Sequence, residues 1–219
     1  MKKNYFVFLQ ALLFTIVIFL VGFYIGMSIE GKRMVEINDY YLQSEVSLVD
    51  VLSLNKLVGS GEASCEELVR SDKELLDKVY GEARLLTQYE ESGKLTNQVK
   101  NLHLKYDVLR TYLWITSIEI KKECSTNLST IVYLYNHGET DLTNKAKQVV
   151  WSKLLLEVKE VSPEVVLIPI AADSDLVSLK AITGSYNITS FPVVIVNEKY
   201  LFYEIPPKER ILELVNKSF

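Results

Sequence analysis

The sequence predicts an α/β C-terminal domain, a central mixed sheet flanked by helices, preceded by an all-α helical hairpin and an N-terminal transmembrane helix. Three observations carry that prediction. They are an uncharged apolar run near the N-terminus, two apolar stripes of helical period meeting at Ser92-Gly93, and short β-branched runs that alternate with helical segments after residue 125. The corresponding boundaries are 1–29 for the anchor, 30–124 for the helical stalk and antiparallel hairpin, and 125–219 for the sheet-bearing domain.

The run from Tyr5 to Met27 carries no charge, and Gln10 and Thr15 are the polar interruptions. At about 1.5 Å per residue it spans a hydrocarbon core of roughly 30 Å, so residues 5–27 are expected to meet membrane lipid. It exceeds the apolar segment of a cleaved signal peptide, and no small-residue cleavage pattern follows it. Lys2 and Lys3 before the span nearly balance Lys32 and Arg33 after it. A short cationic tail is easily retained, which favours a single pass with the N-terminus cytoplasmic and the C-terminal domain outside. Sequons at Asn127, Asn187 and Asn216 are compatible with that orientation.

The 219 residues are 48% hydrophobic and 24% charged, with a net charge of −4. Such a chain lacks the basic footprint that nucleic acid demands.

Beyond the anchor, Ile37, Tyr41, Leu42, Val46, Val49 and Leu52 recur mostly at spacings of three or four, so the helix is expected to continue to Val58 as a stalk. Gly59-Ser60-Gly61 breaks it. Ser64 with Glu67 three residues on reads as a capping box. Leu68, Leu75, Leu76, Val79, Ala83 and Leu86 then form one stripe; Leu95, Val99, Leu102, Tyr106, Leu109, Leu113 and Ile120 form the next, with Thr116 in the seam. The tight turn between them folds the two helices back on each other.

In that hairpin Cys65 and Cys124 are equidistant from a point beside Gly93, so their thiols fall opposite each other at the open end. A disulfide there closes a loop of about 60 residues, contributes roughly 4 kcal/mol, and argues for an oxidising compartment.

After Ser125 the rhythm changes. Thr130 to Tyr135 reads as a buried strand and Asn136 to Asp141 as a loop. Asp141 or Thr143 caps a helix through Ala146, Val149, Val150, Leu154 and Val158. Val165 to Ile170 is a second strand and Asp175 to Ile182 a short helix. A strand begins at Pro192, where the missing N–H does least harm, and turns at Asn197-Glu198-Lys199 into another from Tyr200 to Ile205. A last helix starts after Pro206-Pro207 and carries Ile211, Leu212 and Val215. The first two strands flank a helical crossover and should be parallel, whereas the last two form a hairpin.

This order, with Tyr186-Asn187-Ile188-Thr189-Ser190-Phe191-Pro192 ahead of the third strand, resembles the thioredoxin superfamily, and in particular its membrane-anchored members with an exported helical segment before the fold. The resemblance covers about the last 95 residues. It implies a cis-proline at Pro192 and a peptide-binding role for Phe191 and Pro192, because the residue before that proline offers backbone groups to an extended peptide.

The sequence departs from that family at the site of its chemistry. The redox members carry Cys-x-x-Cys where the first strand's loop meets its helix. Here that place falls within Glu139 to Lys145, which holds no cysteine. His137, Glu139, Thr140, Asp141 and Asn144 occupy the degenerate active-site loop; Asp141 is equally explained as a cap, and His103, on the hairpin, reads as an exposed polar residue. No metal-ligand spacing, phosphate loop or nucleophile elbow occurs, so neither a metal nor a cofactor is expected. The expected function is that of a redox-inactive thioredoxin-like module that binds or scaffolds exported proteins or peptides. The alternative is a thiol-disulfide oxidoreductase using Cys65 and Cys124 as a non-standard pair. The seam of the hairpin is compatible with an intramolecular or an intermolecular partner, so the oligomeric state stays open.

Overall fold

A computed structural model describes residues 2–91, 97–126 and 128–216. It consists of two compact units, Met1–Tyr40 and Tyr41–Phe219. In the first, Tyr5–Ile29 is helical, with a mean hydropathy of 2.7, long and apolar enough to cross a membrane.

Helix α1 runs Lys2–Gly59 and stops where predicted, at Gly59-Ser60-Gly61, with Gly61 at φ 81°. Its burial in the second unit differs from the expected stripe. Ser44, Leu48 and Val51 are buried, whereas Leu42, Val46 and Val49 are exposed. The Tyr41 ring packs edge-on against Tyr106 at 5.6 Å, and that contact selects the inward face.

Helices α2 (Cys65–Glu91) and α3 (Asn97–Cys124) form the hairpin. Ser64 and Glu67 make the capping box in both directions, Ser64 N–H donating to Glu67 Oε2 and Glu67 N–H to Ser64 Oγ, each at 3.3 Å. Leu68, Leu75, Leu76 and Val79 of one stripe and Leu102, Tyr106, Leu109, Leu113, Thr116 and Ile120 of the other are buried. The turn at Ser92-Gly93 and the side chains of Ala83, Leu86, Leu95 and Val99 lie outside the described residues. Cys65 and Cys124 are joined, with their Cα atoms 5.5 Å apart.

Strands β1 (Thr130–Tyr135), β2 (Val166–Ala171), β3 (Val193–Val196) and β4 (Tyr200–Phe202) form a mixed sheet in the order β2-β1-β3-β4. β1 and β2 are parallel, while β1–β3 and β3–β4 are antiparallel. β4 ends at Phe202 rather than Ile205, its ladder with β3 stopping at the Val194–Phe202 pair. Helices α4 (Leu142–Val161), α5 (Val177–Ser185) and α6 (Lys208–Asn216) complete the fold.

Strand pleating splits the core into two faces. Ile131, Tyr133, Leu167, Val194 and Val196 pack with Trp151, Leu155 and Val158 of α4 and with Ile211, Leu214 and Val215 of α6. Ala146, Val149 and Val150, expected inward on α4, are exposed. The helix carries two apolar stripes, and the larger surface of Trp151 with Leu155 and Val158 takes the sheet. α5 starts two residues later than expected, after Leu176 N–H bonds Ser174 C=O at 2.8 Å.

The opposite-facing residues Val132, Leu134, Ile168, Ile170, Val193 and Ile195 are equally buried. Three contacts fix the direction of α3 across this fold. Asp107 accepts from the N–H of Ala171 at the end of β2, Trp114 stacks on Tyr186, and Lys121 bonds Thr130 at the start of β1. α2 also contacts β2, the outer strand on that side, and joins α4 through Asp77 and Lys159 at 2.8 Å. The helical hairpin and the sheet are thus parts of one compact unit.

Candidate functional site

The C-terminal end of β1 gathers most of the residues singled out from the sequence. Leu134 pairs with Val193, so the Phe191-Pro192 peptide, which is cis, lies beside Tyr135 and the loop that follows it. Pro192 is buried and Phe191 half-buried.

The loop itself is held by short polar side chains. Asp141 is the N-cap of α4, its Oδ1 accepting from Asn144 N–H at 2.8 Å. Glu139 accepts from Asp141 N–H at 2.9 Å and from the Asn136 amide at 3.3 Å. Glu139 and Asn144 are half-buried, and Thr140 and Asp141 are exposed. Across the loop, Asp173 accepts from the backbone N–H groups of His137 at 2.8 Å and Gly138 at 2.7 Å. A Cβ at position 138 would stand 3.3 Å from that carboxylate, so a larger residue there would require Asp173 to shift slightly.

His103 is not the exposed residue the sequence suggested. Its ring lies 4.2 Å from that of His137 between centroids, and its Nδ1 donates to Asp107 Oδ2 at 3.0 Å. Asp107 also accepts from Ser174 Oγ at 2.6 Å and from Ala171 N–H at 3.2 Å, and stands 3.6 Å from the Arg110 guanidinium. Burial pushes the Asp107 carboxyl up, but the bond and charge of His103, the charge of Arg110 and the bond from Ser174 outweigh it, and the group is held below the usual carboxylate range. α3 is thereby tied to the turn after β2, and that turn to the loop after β1.

His103, Asp107, Asp173 and Ser174 were missed as a group. The available signal was polar residues at positions 103, 107 and 110, spaced four and three apart beside the apolar seam of α3.

Cys65 and Cys124 are not brought to this end. Lys121, one turn before Cys124, touches Thr130 at the start of β1, whereas His103 touches His137 beyond its end. The 20 residues of α3 between His103 and Cys124 correspond to about 30 Å.

Chemically, the loop offers backbone groups, carboxylates and the imidazole of His137, which pairs with that of His103 on α3, and no thiol. Among the described residues no group of three or more His, Cys, Asp or Glu side chains is placed to hold a metal ion. No protein-family model, curated protein or solved structure matches this chain.

Proposed function

We propose that the chain is a single-pass membrane protein whose C-terminal unit is a thioredoxin-like module outside the membrane, lacking the redox dithiol and binding an extended segment of an exported protein or peptide. The observation that carries this reading is the Phe191-Pro192 peptide beside the loop from Asn136 to Asp141, which leads into the Glu139 to Lys145 stretch where a catalytic pair would otherwise stand. The strand order β2-β1-β3-β4, parallel across the helical crossover and antiparallel through the final hairpin, supports it. The Cys65–Cys124 bridge supports an oxidising compartment, and the apolar helix Tyr5–Ile29 supports the anchor. A redox enzyme that works at this site draws less support, because both sulfurs lie near the opposite end of β1.

The test is photo-crosslinking of the full chain in membrane vesicles, with benzoylphenylalanine in place of Phe191 and a reduced, alkylated polypeptide as probe. Capture at position 191, with none when the same group replaces the exposed Val177, is expected. Equal capture at the two positions, or none, would remove Phe191–Pro192 from consideration as a binding site. Protease shaving of sealed vesicles of each orientation assigns the side.

A further inference from the structure

The chain has two histidines, and the fold brings them together. One comes from α3 and the other from the loop between β1 and α4, and their ring centroids lie 4.2 Å apart with the planes tilted by 41°. His103 is half-buried, and its Nδ1 donates to Asp107 Oδ2 at 3.0 Å. His137 is exposed, so its ring has an open path to solvent. The loop is tied down at the same point by Asp173, which accepts from the N–H groups of His137 and Gly138.

The charged groups around this contact favour one proton on the pair and oppose a second. On α3, Asp107 faces His103 and also stands 3.6 Å from Arg110, while Lys105 reaches over the Tyr41 ring of α1. In the turn after β2, Asp173 is occupied by backbone N–H groups and Asp175 pairs with Lys180. Within the loop, Glu139 turns to the Asn136 amide and to Asp141 N–H, and Asp141 turns to Asn144 N–H. Among the described residues no carboxylate is paired with the His137 ring. A proton on His103 is therefore matched by Asp107, whereas a second one, on His137, puts two cations in ring contact.

We infer that the His103–His137 contact is a proton-operated latch on the loop from Asn136 to Asp141: the closed loop holds one proton on the pair, and a second drives the exposed His137 ring outward and loosens the loop from α3. The open state binds one proton more than the closed one, so opening is favoured as pH falls. Imidazoles ordinarily change charge between about pH 5 and 8, which sets the range. Neither Asp72 nor Asp107 mimics this. Asp72, whose pKa burial pushes up to about 7, steadies the fold as pH falls, and Asp107 is held below the usual carboxylate range. The latch concerns the loop itself and does not require that a peptide bind at Phe191-Pro192.

The test is hydrogen exchange of the full chain in detergent micelles, read by peptide mass over the loop and corrected for the intrinsic pH dependence of exchange. The loop N–H groups of His137, Gly138 and Asp141 are hydrogen-bonded and supply the signal. Between about pH 7.5 and about pH 5.5 the loop is expected to lose protection by about tenfold or more, while β3 stays protected. His137→Gln and His103→Gln, the latter keeping a donor for Asp107, should each flatten that step. A loop equally protected at both pH values, a loss shared by β3, or a step that survives either substitution would overturn the inference. His137 is exposed, so its substitution gives the answer even if His103→Gln fails to fold.

Discussion

His103 Nδ1 lies 3.0 Å from Asp107 Oδ2, one turn apart on α3, and that carboxylate also anchors the turn after β2 through Ala171 and Ser174. The pair therefore links a helix, a strand end and, through the His103–His137 contact, the loop of the candidate site. Asp107→Asn is expected to cost about 3 kcal/mol at neutral pH, because it removes a buried charge from groups arranged to receive one. Since the folded state holds the Asp107 pKa down, its contribution is present above the ordinary carboxylate range and is lost as pH falls through the depressed value. Urea midpoints of wild type and variant should converge in acid. A gap that stays constant from about pH 7 to about pH 3 would refute the assignment.

Asp72 presents the opposite case. It is fully buried between α2 and α3, one oxygen accepts from Ser117 Oγ at 3.2 Å, and the other has no partner among the described residues. Burial pushes its pKa up to about 7, against the smaller opposing effect of Ser117. A folded value above the unfolded one means that stability is greatest below the unfolded pKa and falls until pH passes about 7. Asp72→Asn should therefore stabilise the fold by about 2–4 kcal/mol above neutrality and change it little near about pH 4. Denaturant melts at the two pH values check this, and a variant less stable at both would contradict it.

Much of this architecture was legible in the sequence because local signals and global geometry agreed. Ser64 and Glu67 announced the start of α2, the seam from Leu102 to Ile120 announced its partner, and the symmetry of Cys65 and Cys124 about Gly93 announced their bond. The Asp107 cluster was not legible, because its burial comes from α3 lying across the ends of strands 30 to 70 residues away in sequence. The α4 face was not legible for another reason. Val149 and Val150 compete with Trp151, Leu155 and Val158 at equally helical spacing, and only the sheet decides between them.

That choice of face has its own test. Val149 and Val150 are each 49% exposed, so Val149→Lys and Val150→Glu should shift stability by less than about 0.5 kcal/mol. Trp151→Ala should cost about 3–5 kcal/mol by opening a cavity in the core. Thermal or denaturant melts of the three variants compare them directly. A loss of several kcal/mol at position 149 or 150 would mean that the outer face is covered.

At the other end of β1, Lys121 Nζ lies 2.6 Å from Glu198 Oε2 and 2.7 Å from Thr130 Oγ1, joining the last turn of α3 to the first residue of β1 and to the β3–β4 turn. Burial lowers the Lys121 pKa, and the charge and bond of Glu198 recover only part of that. Burial of the Lys121 charge thus outweighs what Glu198 returns to it, so the pair is not a net electrostatic gain, although each member depends on the other. Lys121→Met alone leaves Glu198 poorly solvated without its cation and should cost about 3 kcal/mol. Lys121→Met with Glu198→Gln removes both charges and should recover most of that loss. A double-mutant cycle on denaturant midpoints measures the difference. If the double variant is as unstable as the single one, the junction depends on the packing of the lysine stem rather than on its charge, and the electrostatic account of this corner fails.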